Sequence, residues 1–425
     1  CQTDINKWRQ KIPIVAIWSE HNQRRHAAPK QVHKGKMKRQ TNSAASSALP
    51  GLDSKLPDVG TTIFTQMSAL AQTHNALNLS QGLPDFEAPS ALIERVTMHM
   101  EAGLNQYPPM LGVAALREAI AAKVANLYDR RCDPDTEVTV TAGATEALFC
   151  AIAATVRAGD EVIVFDPAYD SYDPVIRLQG GQAIHIPLAA PDYCIDWQRV
   201  RDAITPRTRM IIVNTPHNPT GSVLAQEDLE NLQELAVRHG LYVLGDEVYE
   251  HIIFDGARHE SLCRYPDLFA RSFVVSSFGK TYHVTGWKVG YCVAPTALTT
   301  EFRRIHQFVT FTVSTPVQYA LADFMNASPE FHCELGAFYQ RKRDLFCHLL
   351  EDSKFTLVPS QGTYFQLLNY SALSDFNDTD LAINWTKKHG IASIPVSVFY
   401  QNPDPDAPQV LRFCFAKDDG TLQQA

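Results

Sequence analysis

The stretch SFVVSSFGKTYHVTGWKVG, residues 272–290, decides how the rest of this chain is read. Its opening SFVVSS is apolar and β-branched at the centre, the pattern of a strand buried on both faces. Directly behind it come Lys280 and Lys288, with Gly279, Gly286 and Gly290 around them and Ser277 three places before the first lysine. A packed core rejects two ammonium groups unless each is paired or neutral. Something else must receive them.

Outward from this stretch the same texture recurs. EVTVTAG (137–143) reads as a strand running into the helix ATEALFCAIAATVRAG (144–159), followed by the strands EVIVFDP (161–167) and QAIHIPL (182–188). RMIIVNTP (209–216) precedes the helix DLENLQELAVRHG (228–240), and LYVLGDEVY (241–249) is a further strand, as is WKVGYCVAP (287–295). Short apolar runs alternating with amphipathic helices predict an α/β fold, a mostly parallel sheet covered on both faces. From about residue 326 the texture changes to a long helix (331–353) and two antiparallel strands, FTLVPSQGTYFQLLNY and VLRFCFA. The expected division is a large domain over 86–325 and a smaller α+β domain over 326–425, to which the segment 49–85 contributes.

Composition narrows the class. The 425 residues are 45% hydrophobic and 20% charged, as in an ordinary soluble globular protein. No apolar run approaches the ~20 residues that span a bilayer. The nine cysteines show no metal-ligand spacing, so they read as reduced thiols of a cytoplasmic protein and no metal is expected. Ten Lys or Arg against Asp4 and Glu20 make the first forty residues basic, while the remainder carries a net charge of −16, which argues against a nucleic-acid partner. Residues 1–48 lack the pattern of the body. They are expected to be disordered or a non-native extension, with Met37 a candidate start. At the other end the chain reaches LQQA before a full terminal helix is expected.

The chemical positions share one place. NTPHNPTG (214–221), DEVY (246–249) and SSFGK (276–280) each lie just past the carboxyl end of a predicted strand, where open α/β sheets gather ligands. A ligand with an aldehyde, a phosphate and a basic aromatic ring would use all of them. Lys280 supplies a primary amine for the aldehyde. Ser277, Lys288 and the helix-opening TAGAT turn suit a phosphate. Asp246 suits a protonated ring nitrogen, Asn218 and Tyr249 a phenolic oxygen, and Tyr169 a ring face.

With these motifs in order, the chain resembles the fold-type-I enzymes that use pyridoxal 5′-phosphate (PLP), in their class I/II aminotransferase branch. NLSQGLPDF, NQYPPMLG, TVTAGATEAL, FDPAYDSY, NTPHNPTG, DEVYEH and SSFGKTYHVTGWKVGYCVAP look very like bacterial methionine aminotransferases, with kynurenine/glutamine aminotransferases next. The resemblance implies a large domain with a seven-stranded sheet and a homodimer acting on amino acids and 2-oxo acids. It implies Lys280 as the Schiff-base lysine and general base, and Asp246 as partner of the ring nitrogen, with Tyr249 and Asn218 on the ring oxygen. Gly143, Ala144, Thr145, Ser277 and Lys288 would hold the phosphate, Tyr169 would stack, and Tyr107 would reach the neighbouring subunit's phosphate. Arg412, with Gly82 and Asn218, would clamp the substrate carboxylate, while Phe64 and Tyr282 are candidates for the side-chain pocket. Lys288 departs from the arginine of many aminotransferases and binds phosphate as a point charge rather than a fork.

Blander readings stand beside these. Glu247 reads as a structural neighbour, and His217, His251 and His283 as surroundings of the site rather than catalysts. Phe64 and Tyr282 compete with plain core packing. A PLP β-lyase of sulfur conjugates could use the same residues. A regulator's sensor domain would need a helix-turn-helix, and a dinucleotide enzyme a Gly-x-Gly-x-x-Gly after the first strand; neither pattern is present.

Overall fold

The structure, a computed structural model, describes residues 53–403 and 409–425; the basic head and the expectations placed on it lie outside the described residues. Seven strands form one sheet in the order Val138–Thr141, Gly290–Val293, Ser272–Ser277, Tyr242–Asp246, Thr208–Asn214, Glu161–Asp166 and Gln182–Pro187. Only Gly290–Val293 runs antiparallel to its neighbours. The other pairings are parallel.

Both faces of this sheet are buried, and the alternation of a strand's side chains decides which residue meets which layer. Ile163, Phe165, Ile211, Val213 and Val243 pack on one side with Leu229, Leu232 and Leu235 of the helix Gln226–His239. Val162, Val164, Ile212, Leu244 and Val275 pack on the other with Ala147, Leu148 and Ala151 of the helix Gly143–Thr155. Truncating one such leucine to alanine costs about 2–5 kcal/mol. The run EVIVFD is therefore apolar at nearly every position because no position faces water.

A second cluster surrounds a three-stranded antiparallel sheet, Ile394–Pro395, Val410–Cys414 and Phe365–Asn369, with the helix Glu330–Leu349 against it. The short strand Leu77–Asn78 pairs with Ile391–Ala392, so the amino-terminal segment joins this block. Two predicted strands are shorter than expected. In FTLVPSQGTYFQLLNY only Phe365–Asn369 is strand, because Pro359 and Gly362 interrupt the ladder. In WKVGYCVAP the strand begins at Gly290, because Lys288 takes a left-handed conformation with φ of 54° that no strand accommodates.

No helix among the described residues is long and apolar enough to cross a membrane. Among the described residues eight cysteines are free.

Candidate active site

The carboxyl edge of the sheet delivers the chemistry. Register pairs Asn214 with Asp246, and Asp246 with Val275, so two adjacent strands end level and the third runs two residues further, to Ser277. Ser277 then closes its strand and the single turn Phe278–Thr281 lifts Lys280 over the edge. A cleft of about 360 Å³ opens there, lined by Lys280, Asp246, Tyr249, Tyr169, Asn218 and Lys288, with Ala144, Thr145 and Ser277 beside them. Residues scattered over more than a hundred positions of sequence thus share one cavity.

Its phosphate-sized end is the amino terminus of the helix Gly143–Thr155, whose first backbone N–H groups have no partner within the helix. Gly143 has φ of +73°, and a Cβ there would lie 3.2 Å from Lys288 Nζ. At Gly290 a Cβ would meet Ser276 O at 2.7 Å and Ala144 N at 2.8 Å. The two glycines let the lysine and the helix terminus approach the same point, and Lys288 Nζ donates to Thr145 Oγ1 at 3.4 Å.

Asp246 is buried at 4% exposure. Tyr172 donates to its Oδ2 at 2.7 Å, while Oδ1 is buried with no partner among the described residues. Burial raises its carboxyl to about 6, against hydrogen bonds from Tyr172 and the Val248 N–H and the charge of Lys280, which favour the anion. Lys280 lies 5.5 Å from the Tyr249 ring centre and 5.6 Å from that of Tyr364. Burial lowers its ammonium to about 8, with Arg412 and Lys288 adding like-charge repulsion.

Arg412 is the largest wholly buried side chain, at 1% exposure. It donates from Nη1 to Asn218 Oδ1 and from Nη2 to Ser80 O, both at 2.7 Å, and its Nε has no partner. Its guanidinium stacks 3.9 Å from the Phe365 ring centre and 5.2 Å from that of Phe64. Burial lowers it to about 10. No carboxylate among the described residues pairs with it. A buried guanidinium with donors to spare calls for an anion from outside the chain.

Over residues 74–425 the sequence matches the family of aminotransferases of class I and II. The chain belongs to that family. It is 52% identical over 372 residues to a methionine aminotransferase of Escherichia coli (strain K12), covering 88% of this chain and 96% of the relative. A kynurenine–oxoglutarate transaminase of Dictyostelium discoideum is 33% identical, covering 86% and 93%. A solved Escherichia coli structure described as a methionine aminotransferase superposes with TM-score 0.86 at 51% identity, covering 88% of this chain and 97% of that one. An aspartate aminotransferase of Thermus thermophilus gives 0.80 at 29% identity, covering 88% and 98%. The α/β architecture is the aminotransferase fold, and the protein is a transaminase.

The remaining sequence candidates fall in different places. Gly82 packs against Tyr364, whose hydroxyl donates to its carbonyl at 2.9 Å; a Cβ there would meet the Tyr364 ring at 2.8 Å. Phe64 lies over the Arg412 guanidinium rather than on the cleft wall. Tyr282 departs from the expected pocket. It is core, 2% exposed, stacked on Phe278 and edge-on to Phe324. The turn Phe278–Thr281 points Lys280 to the cleft and so sends Tyr282, two residues on, away from it. Tyr107 is 84% exposed against Phe311 and does not line the cleft. Glu247 accepts from His259 at 2.8 Å and from the Leu262 N–H, a structural bond set.

Sequence reasoning missed three residues of this transaminase's site. Tyr172 fixes Asp246, and Tyr364 bridges Gly82 and the Tyr249 ring. Asn214 donates to Asp246 O at 2.8 Å and accepts from the Asn218 N–H at 2.8 Å, shaping the turn that presents Asn218. Tyr172 and Asn214 stood inside quoted motifs, but their bonds to Asp246, one from a helix start and one from the adjacent strand, join segments that sequence spacing does not pair.

Proposed function

We propose that the cleft holds PLP and that the enzyme moves the amino group of methionine, and of aromatic or other apolar amino acids, to a 2-oxo acid. The observation that carries the reading is the set of buried, unsatisfied groups. Asp246 Oδ1 and Arg412 Nε lack partners, and the helix terminus beside Lys288 offers free donors. A ring nitrogen, a substrate carboxylate and a phosphate answer them in turn. The resemblance to a methionine aminotransferase at 52% identity supports the donor.

When bound, the cofactor supplies an electrophilic aldehyde carbon and a protonated ring that accepts the electron pair released at the substrate's α-carbon. Lys280, with its ammonium lowered to about 8, is available in part as free amine near neutral pH and takes and returns the α-proton. Asp246 would hold the proton on the ring nitrogen. Asn218 and Tyr249 would hold the ring oxygen, and Tyr169 would cover the ring face. Arg412 fixes the carboxylate so that the α C–H bond stands where Lys280 reaches it, a positioning effect. Gly143, Ala144, Thr145, Ser277 and Lys288 hold the phosphate.

A homodimer belongs to the same proposal. Tyr107 and Phe308, 84% and 86% exposed, sit in an apolar patch with Val309 and Phe311. Tyr107 then completes the partner's phosphate site. The division into a body of 86–325 and a smaller block from 49–85 and 326–425 is part of it, as is a cytoplasmic location, which the free, exposed Cys194 and Cys333 support.

The test is a screen of twenty amino acids against one 2-oxo acid with the PLP-loaded enzyme. Methionine is expected to react fastest, with aromatic donors following because an apolar pocket discriminates weakly. Aspartate as the preferred donor overturns the substrate reading, and absence of any transamination overturns the whole.

A further inference from the structure

Beneath the phosphate-sized end of the cleft lies a buried polar cluster that the reaction does not use. Glu146 sits in the first turn of the helix Gly143–Thr155, and its Oε2 accepts from the Ala142 N–H at 2.9 Å. Its Oε1 accepts from Cys150 Sγ at 3.1 Å and lies 2.7 Å from His306 Nδ1. His306 Nε2 is 2.9 Å from Met110 O, and the imidazole is fully buried. The three donor atoms lie within 4.8 Å of one another, as ligands of a metal would, but hydrogen bonds already occupy them.

A backbone carbonyl only accepts, so Nε2 carries a proton. At 2.7 Å one further proton lies between Nδ1 and Glu146 Oε1. With that proton the Glu146–His306 pair carries no net charge.

That neutrality matters because of where Glu146 stands. A carboxylate in the first turn suits the helix dipole but repels a second anion held at the same helix terminus. We propose that His306 is a positioning residue of the phosphate cradle, a buried partner that holds Glu146 in place and cancels its charge through the proton between them, so that the helix terminus stays attractive to a phosphate. The proposal rests on the PLP reading for the identity of that phosphate, not for its chemistry.

The cofactor-stripped full chain is titrated with inorganic phosphate, PLP and pyridoxal, which lacks the phosphate. His306→Asn keeps a neutral donor toward Glu146 but removes the basic nitrogen, and leaves the carboxylate's charge uncancelled. It is expected to weaken phosphate and PLP about tenfold and to leave pyridoxal unchanged. Glu146→Gln, which removes the opposite charge from the same contact, is expected to hold or raise phosphate affinity. A purely structural pair would lose affinity in both variants and for all three ligands. That result, or wild-type phosphate affinity in His306→Asn, overturns the proposal. If His306→Asn does not fold, the Glu146→Gln arm decides alone, a loss of phosphate affinity there counting against it. Wild type that binds inorganic phosphate but shows no Lys280-dependent visible absorbance with PLP overturns the cofactor reading and leaves the cradle standing. Wild type that binds neither phosphate ligand overturns both.

Discussion

Lys123 and Lys280 are both withdrawn from water, one under the sheet and one at its edge, and their surroundings differ in kind. Lys123 donates to Glu250 Oε1 and Tyr291 OH, each at 2.5 Å, with His251 Nε2 at 3.3 Å. Ser276 Oγ also donates to Glu250, and Tyr128 closes the network on its second oxygen. Burial alone would push the Glu250 carboxyl up, but Lys123, His251 and these donors hold it well below the usual range. Lys280 has no ion-pair partner among the described residues and is lowered to about 8. A buried charge with every partner supplied is architecture. One left without a partner, beside an orphaned carboxylate oxygen and an unpaired guanidinium, is kept for a ligand.

The widest break in this comparison comes from exchanging the lysines' fates. Lys280→Ala is expected to lower transamination by about 10⁴-fold or more and to abolish the visible absorbance with PLP, while the fold persists. Lys123→Met is expected to do the reverse. Stability falls by about 3–5 kcal/mol in urea titrations because Glu250 is left charged and unpaired, yet folded protein keeps its absorbance. Equal loss of absorbance in both variants would erase the distinction.

Arg412 sharpens it. Arg412→Met should lower kcat/KM for amino acids by about a hundredfold to a thousandfold, the worth of a desolvated carboxylate–guanidinium contact. The cofactor-free protein should meanwhile be no less stable than wild type, because the variant removes a buried cation that had no counter-ion. A large stability loss in that variant would show the arginine to be structural.

Linkage gives a third measurement. Lys280 is lowered from 10.5 to about 8 in the folded state, so between those values the unfolded chain binds more protons and stability rises with pH. Below pH 8 the folded state carries the full cost of the buried ammonium. Cofactor-free Lys280→Met should therefore exceed wild type by about 3 kcal/mol at pH 7, with the gap closing from pH 8 to 10.5. A gap that stays constant with pH would assign the effect to packing.

The smallest effect is expected at Tyr172. Tyr172→Phe removes one hydrogen bond to the Asp246 anion, worth about 1 kcal/mol, and raises its carboxyl above the present value of about 6. The acid limb of the kcat profile should move to higher pH with KM nearly unchanged. An unmoved limb would mean that the Tyr172 bond does not tune Asp246.

Much of this was legible in the linear text. Apolar runs alternating with helices gave the seven-stranded sheet, because strands buried on both faces leave no position for polar residues. Lys280, Asp246 and Asn218 could be put forward as neighbours in one cleft because each lies at or just past a strand end, where a buried run stops and the chain turns. Tyr282 was misplaced because spacing cannot tell which side of one short turn a ring will take. Tyr172, Asn214 and Tyr364 were passed over because Asp246 and Gly82, which they meet, lie 32 to 282 positions away and are brought beside them only by tertiary packing.

The order of secondary elements, the family and the residue types of the site were thus written in the sequence, since hydrophobic periodicity and turn residues act locally. Which charges would go unsatisfied was decided only by the folded chain. Whether a buried lysine meets a glutamate or an empty cleft depends on which distant segments pack beside it. Only the assembled sheet edge makes Lys123 a strut and leaves Lys280 a buried amine facing a cleft.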